Sequence, residues 1–330
     1  MKHSNISVFI PHIGCPNMCS FCNQRIISGK QSAPTYEEVK EICRNASEAI
    51  RDKANTEIAF FGGSFTAIER EYMLELLESV QEFVTEDGFK GIRISTRPDC
   101  IDEEILSILK KYNVTAIELG AQSMSDKVLK ANDRGHSAAD VVIASELIRK
   151  LGFELGLQMM VGLYKSDYID EVETFNKIMN IKPDTLRIYP VVILKNTRLA
   201  DLYNSGEFIP FDFDEVVEMC ADFLCRAQQN NVRVIKCGLH ASEFVGKDMV
   251  GGFYHPAFRE ICEGRIYRSE IMKIACDNIS FIKISVPAAN LSKAIGQKKC
   301  NIEFFRAKGI ELKVISDECQ TEFIKIIERR

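Results

Sequence analysis

The chain has 330 residues, 46% hydrophobic and 27% charged, with a formal net charge of -5. That balance excludes a disordered or collagen-like chain, and the acidic total argues against a protein that coats nucleic acid with its whole surface. No run approaches the roughly 18 apolar residues of a membrane span, and the first residues lack the apolar core of a signal peptide, so a cytoplasmic location is expected.

In chain order, short β-branched runs alternate with helical patterns. Strands are expected at Ser7–Ile10, Ile58–Phe61, Ile92–Ser95, Ala116–Leu119, Leu155–Met160 and Thr185–Ile188. A helix with Val39, Ile42, Ala46 and Ile50 on one face opens on the capping box Thr35-Tyr36-Glu37-Glu38. Another starts near Asp102 and carries Ile105, Ile108, Leu109 and Tyr112. A third carries Ala144, Leu147, Ile148 and Leu151 and stops at Gly152. Six strand–helix units imply right-handed crossovers, a parallel sheet and an open, partial (β/α)6 barrel of the α/β class. Chemistry in such barrels sits on the loops after the C-terminal strand ends.

Beyond Pro190 the alternation weakens. A long helix is expected over Asp212–Asn231, with Val216, Val217, Cys220, Phe223 and Leu224 facing inward. A βααβ pattern follows at Ser280–Val286, Asn290–Ile295, Asn301–Lys308 and Ile310–Ile315, read as a small α+β domain. The expected division is a core over residues 1–236, a connecting extension over 237–276 and the small domain over 277–330. Residues 277–330 carry a net +3 and the remainder -8, which hints at separate tasks.

The strongest motif is Cys15-Pro16-Asn17-Met18-Cys19-Ser20-Phe21-Cys22, a CxxxCxxC triplet directly after the first strand. Three thiolates on one tight loop can hold three irons of a [4Fe–4S] cluster and leave the fourth open to a small molecule. A structural zinc site would want four ligands, usually in two close pairs, and no equally convincing second pair exists. A redox CxxC could use Cys19 and Cys22 alone. With twelve cysteines in a reducing compartment, the other nine are read as buried packing.

With these residues the chain resembles the radical S-adenosylmethionine (SAM) superfamily, in which the open iron chelates SAM and an electron from the cluster cleaves it to a 5′-deoxyadenosyl radical. Phe9 and Phe21 match aromatic positions beside the cluster and adenine, and Phe60-Phe61-Gly62-Gly63-Ser64-Phe65-Thr66 looks like the family's glycine motif. Further strings narrow the likeness, over about residues 6–235, to the radical SAM domain of the Elongator catalytic subunit. They are Thr96-Arg97-Pro98-Asp99, Glu118-Leu119-Gly120-Ala121-Gln122-Ser123, Asn132-Asp133-Arg134-Gly135-His136, Met159-Met160-Val161-Gly162-Leu163 and Arg187-Ile188-Tyr189-Pro190 leading to Thr197. Oxygen-independent coproporphyrinogen oxidases share the looser outline.

The resemblance implies that Gly62, Gly63 and Ser64 meet the methionyl moiety, that Gln122 bonds SAM and that Arg134 pairs with its carboxylate. Gln158 would contact the ribose. Ser95 replaces the family's usual glutamate, weakening one ribose contact, and Arg187 stands where lysine is usual. The resemblance further implies a tRNA base as substrate and a reducing partner such as a flavodoxin or ferredoxin. No acetyltransferase domain follows within these residues, so acetyl-CoA is not carried over. A small-molecule substrate such as a porphyrinogen, or a non-catalytic iron–sulfur or zinc module, are the competing classes. His136, His240 and His255 are read as structural, while Lys236, Cys237, His240 and Tyr254 are placed near the barrel mouth by chain position. The tail resembles a KH domain, whose GxxG loop clamps a nucleic-acid backbone. Gly296 matches its first glycine and Lys299 replaces the second, so RNA contact is expected from Gly296, Lys298 and Lys299.

Overall fold

Each apolar run read as a strand forms one, extended at its ends until backbone pairing stops. The computed structural model describes residues 4–11, 13–15, 18–29, 32–240, 243–275 and 279–330. The first half comprises β1 (Ser4–Ile10), α1 (Gln24–Ser28), α2 (Tyr36–Ala49), β2 (Thr56–Gly62), α3 (Arg70–Glu78), β3 (Gly91–Thr96), α4 (Glu103–Lys111), β4 (Val114–Gln122), α5 (Asp126–Ala131) and α6 (Ala138–Lys150). Then come β5 (Glu154–Val161), α7 (Tyr168–Ile181), β6 (Thr185–Pro190), β7 (Val192–Leu194), α8 (Arg198–Asn204), α9 (Phe213–Gln229), β8 (Arg233–Cys237), α10 (Glu243–Asp248), β9 (Met249–Gly252) and α11 (Phe258–Ile274). The chain ends with β10 (Phe281–Pro287), α12 (Leu291–Ile295), α13 (Cys300–Ala307), β11 (Glu311–Asp317) and β12 (Lys325–Arg329).

One all-parallel sheet runs in the order β1-β2-β3-β4-β5-β6-β8. It is the partial barrel expected, with a seventh strand added. Strand β8 escapes the sequence pattern because it is short and lies at the sheet edge. Arg233 and Lys236 interrupt its apolar residues, whereas an interior parallel strand is a continuous apolar run. Among the described residues, no helix is long and apolar enough to cross a membrane.

Local signals place the helices. Thr35 caps α2 reciprocally: Thr35 N donates to the Glu38 carboxylate at 2.7 Å, and Glu38 N to Thr35 Oγ1 at 3.3 Å. Asp102 caps α4 by accepting from Ile105 N at 2.7 Å, and Ile105, Leu106 and Leu109 are buried beneath it. Gly152 follows α6 at φ +77°, a conformation a side chain would resist. All five inward positions expected on α9 are buried.

Helix α11 belongs to two cores. Phe258 and Cys262 pack into the barrel core, while Tyr267 and Ile271, further along, pack with Ile282, Ile284, Phe305 and Leu312 of the small unit. The segment read as a connecting extension thus contributes structure to both sides, and β9 pairs antiparallel with β7 in a separate ribbon. In the small unit β10 pairs parallel with β11 and antiparallel with β12. Strand β12 is unexpected from sequence because all five of its residues are exposed, which leaves no apolar alternation to read. Asn301, fully buried, fastens α13 to α11 by donating to the Gly264 carbonyl at 2.8 Å and accepting from Arg268 Nε at 2.9 Å.

The reading of nine packing cysteines needs correction. Cys43, Cys220, Cys237 and Cys262 are buried, but Cys100 and Cys225 are half-buried and Cys300 and Cys319 are exposed. Cys276 lies outside the described residues. Exposure of the last two follows from their place on the thin small unit, whose sheet has a single buried face.

Candidate functional site

The loops after β1, β2, β3 and β4 meet at the C-terminal end of the sheet, and close backbone approach builds their junction. A Cβ on Gly62 would lie 2.5 Å from the Ile10 carbonyl oxygen, and one on Gly63 would lie 2.2 Å from that of Ile13. Only glycines allow this contact between the glycine motif and the cysteine loop. Ser64 is buried beneath it, with its Oγ 2.9 Å from Thr96 Oγ1 and accepting from Arg97 N at 3.1 Å. Thr96 Oγ1 also lies 2.6 Å from Thr66 Oγ1. The two motifs after β2 and β3 are therefore locked by hydroxyls.

Within the cysteine loop, Cys19 is buried, Cys22 half-buried and Cys15 exposed. Burial pushes the Cys22 thiol up to about 12, and the neighbouring Cys19 and Cys15 add to the rise. Although Cys15 as a residue is exposed, the loop around its thiol partly desolvates it and raises its pKa, against a backbone hydrogen bond from Ser64. Asn132 anchors the loop: Ser20 Oγ donates to Asn132 Oδ1 at 2.8 Å and Ser20 N to the Asn132 carbonyl at 3.1 Å. Asn132 is fully buried and donates onward to the Tyr164 carbonyl at 2.9 Å. It entered the sequence reading only as part of a motif, yet it joins the loop to the barrel.

Arg134 is buried. Its Nη1 donates to Cys19 Sγ at 3.1 Å, its Nη2 donates to the Gly120 carbonyl, and its Nε has no partner. Gln122 takes φ +64°, a left-handed backbone that costs a non-glycine residue roughly 1–2 kcal/mol. Its Oε1 is buried without a partner. Arg97 is held by Asp99 through two bonds of 2.9 and 2.7 Å, but its Nη1 is also orphaned. Unsatisfied buried groups of this kind are costly in an isolated fold and gather where a ligand belongs.

A cavity of about 450 Å³ opens beside the loop. Its wall includes Phe9, Phe21, Cys22, Gly62, Ser95, Gln122 and Gln158, together with Met160, Arg187, Tyr189, Lys236 and His240. Gly63, Ser64 and Arg134 do not reach its wall, and neither do Cys237 or Tyr254. Gln158 Nε2 donates to Ser95 Oγ at 3.2 Å and to Glu118 Oε2 at 2.9 Å. Glu118, given no role of its own within its sequence motif, is buried behind the wall and takes two bonds from Arg187 at 2.6 and 2.8 Å. Its carboxylate thus serves the level at which Ser95 has replaced the usual glutamate. His136 is buried with Nε2 3.2 Å from the Ala121 carbonyl oxygen, and burial lowers its pKa to about 4. His136 Nδ1 has no partner among the described residues, while His255 accepts from Ala257 N at 3.0 Å before α11.

A family model for the radical SAM superfamily matches residues 9–178, just over half the chain, and one for the Radical_SAM C-terminal domain matches residues 183–268. The chain belongs to the radical SAM superfamily. An uncharacterised protein of Methanocaldococcus jannaschii is 28% identical over 68% of this chain and 67% of its own length. The tRNA uridine(34) acetyltransferase of Methanocaldococcus infernus is 28% identical over 49% of this chain but only 34% of its own length. The chain therefore spans about a third of that relative. The solved archaeal Methanocaldococcus infernus Elp3 with an N-terminal deletion shares the fold, at 21% identity, TM-score 0.65, 83% of this chain and 64% of that one.

The superfamily's groups, a [4Fe–4S] cluster and SAM, are the cofactors of this chain, and the residues present fit them. The thiols of Cys15, Cys19 and Cys22 share one loop, and the orphaned atoms of Gln122, Arg134 and Arg97 await polar partners. Among the described residues no three His, Cys, Asp or Glu side chains converge on one point as a single zinc ion would require. Cluster thiolates need not converge, because each binds a different iron.

Proposed function

We propose that this radical SAM enzyme modifies an RNA base, and that the RNA is a tRNA. The observation that carries this reading is one continuous cavity. It runs from Cys22, Gly62 and Gln122 at the cysteine loop to Arg187, Tyr189 and Lys236 at the ends of β6 and β8. Cys15, Cys19 and Cys22 hold the cluster in this reading, and Gln122 and Arg134 bond the methionyl group of SAM. Phe9 and Phe21 flank the adenine, and Gln158 and Ser95 meet the ribose. A cluster held by these three thiolates would supply the one electron that splits SAM into methionine and a 5′-deoxyadenosyl radical. A flavodoxin or ferredoxin supplies the electron. The names of two relatives, the tRNA uridine(34) acetyltransferase and the human Elongator complex protein 3, favour tRNA over a small molecule. Mass analysis of tRNA nucleosides from a deletion strain should reveal one missing modification that the restored gene returns. An unchanged nucleoside profile would remove the tRNA reading.

Arg134→Ala should weaken SAM binding by roughly 1.5–3 kcal/mol, the value of a hydrogen bond to a charged group, with full iron retained. Calorimetry and iron analysis check this together. Full SAM affinity with lost iron would instead assign the guanidinium to Cys19.

In the same reading the tail binds the RNA backbone. Gly296, Lys298 and Lys299 take φ of +78°, +51° and +62°. Lys299, where the second glycine of a GxxG loop would stand, thus keeps a glycine-like backbone while adding a cation. Lys298→Glu with Lys299→Glu should weaken tRNA binding and reduce its salt slope by about two phosphate contacts, leaving SAM cleavage intact. Filter binding across a salt series measures both quantities.

A further inference from the structure

Strands β6 and β8 pair so that Arg187 stands opposite Lys236, and both side chains line the cavity. The sheet interior around them is densely charged. Arg93 bonds Glu57, Glu118 and Glu154 at 2.7, 3.3 and 2.6 Å. Lys90 stands 3.6 Å from Glu57 and 3.5 Å from Glu154, and Arg233 stands 3.5 Å from Glu154. Arg187 is engaged with Glu118. Every interior carboxylate named here has a cation, and every cation but one has a carboxylate. The exception is Lys236, which has no ion pair among the described residues. The charged and titratable groups facing it are Arg187, Arg259 and the Cys237 thiol. His240 stands nearby on the same cavity wall, its ring 6.4 Å from that of Phe9. No Asp or Glu lines the cavity.

A half-buried ammonium without a counterion is expensive unless a ligand supplies one. We propose that Lys236 and His240 form a receptor for an oxyanion carried by the substrate. Resting on the RNA reading above, that oxyanion is the phosphate next to the reacting nucleotide. A flexible ammonium suits this task, because it meets a phosphate as a point charge and tolerates several approach angles. Burial, with Arg187 behind it, lowers the lysine's pKa, and burial, with Lys236 behind it, lowers that of His240; an arriving anion would reverse both effects.

The test is acetylation of the cluster-loaded and SAM-loaded protein with an N-hydroxysuccinimide ester under anaerobic conditions, read by peptide mass spectrometry. Lys236 should react, and uridine 5′-monophosphate or inorganic phosphate at about four times its Kd should slow it about five-fold. Uridine and chloride should not, and exposed Lys111 should be indifferent to all of them. His240→Asn should weaken the protection. Protection by acetate or succinate but not by phosphate would keep the oxyanion receptor and remove the RNA assignment. Three results would overturn the receptor itself: an unreactive Lys236, protection by no oxyanion, or full protection by SAM alone.

Discussion

Replacing Cys15, Cys19 or Cys22 singly by alanine should reduce the iron content of anaerobically reconstituted protein from about four per chain to near zero, and abolish SAM cleavage with it. In the proposed ligand set each thiolate would be the only protein ligand of one iron, so no neighbour on the loop could substitute. Cys43→Ala is the control: that thiol is buried in α2, against the barrel core and away from the loop, and burial alone pushes its pKa up to about 12. The control should cost some stability through a small cavity and leave iron and SAM cleavage unchanged. Iron analysis, visible absorption and 5′-deoxyadenosine release read the outcome. An intact cluster in any of the three loop variants would overturn the ligand assignment.

The sequence discloses features in proportion to how local their physics is. The capping box at Thr35, the inward face of α9 and the cysteine loop after β1 each depend on residues within a few positions of one another, and all are legible without a structure. Arg187 and Glu118, by contrast, lie 69 positions apart, and nothing in either segment announces the other. Asn132 sits 112 positions from the Ser20 it anchors. Arg134 was readable as a residue of the site through its motif, but not its placement against Cys19, which the approach of α5 to the loop determines. Strands β8 and β12 stay hidden because an edge strand buries too little to impose a pattern. Lys236 is notable through a missing partner, and only coordinates reveal that.

Glu118→Gln should destabilise the protein by roughly 3–5 kcal/mol at pH 7, because it leaves Arg187 buried against the cavity with no carboxylate. Arg93 suffers less, since it keeps Glu57 and Glu154. Burial by itself would push the Glu118 carboxyl upward, but the Arg187 charge and hydrogen bonds outweigh it, with Arg93 and Gln158 adding to them. The net shift is downward. A depressed folded-state pKa means that Glu118 contributes stability above the unfolded carboxylate value of about 4.3, and loses it as pH falls below that value. The gap between Glu118→Gln and the parent should therefore be full at neutral pH and close on acidification below about pH 4, as a Tm difference measured at both. Apolar replacement of both partners, Glu118→Leu with Arg187→Met, removes the stranded charge as well as the pair, and should recover much of the single-variant loss. Additive losses in the double variant would show that each residue stabilises the barrel on its own, and a gap that persists in acid would show that the Glu118 carboxylate is not the source of the difference.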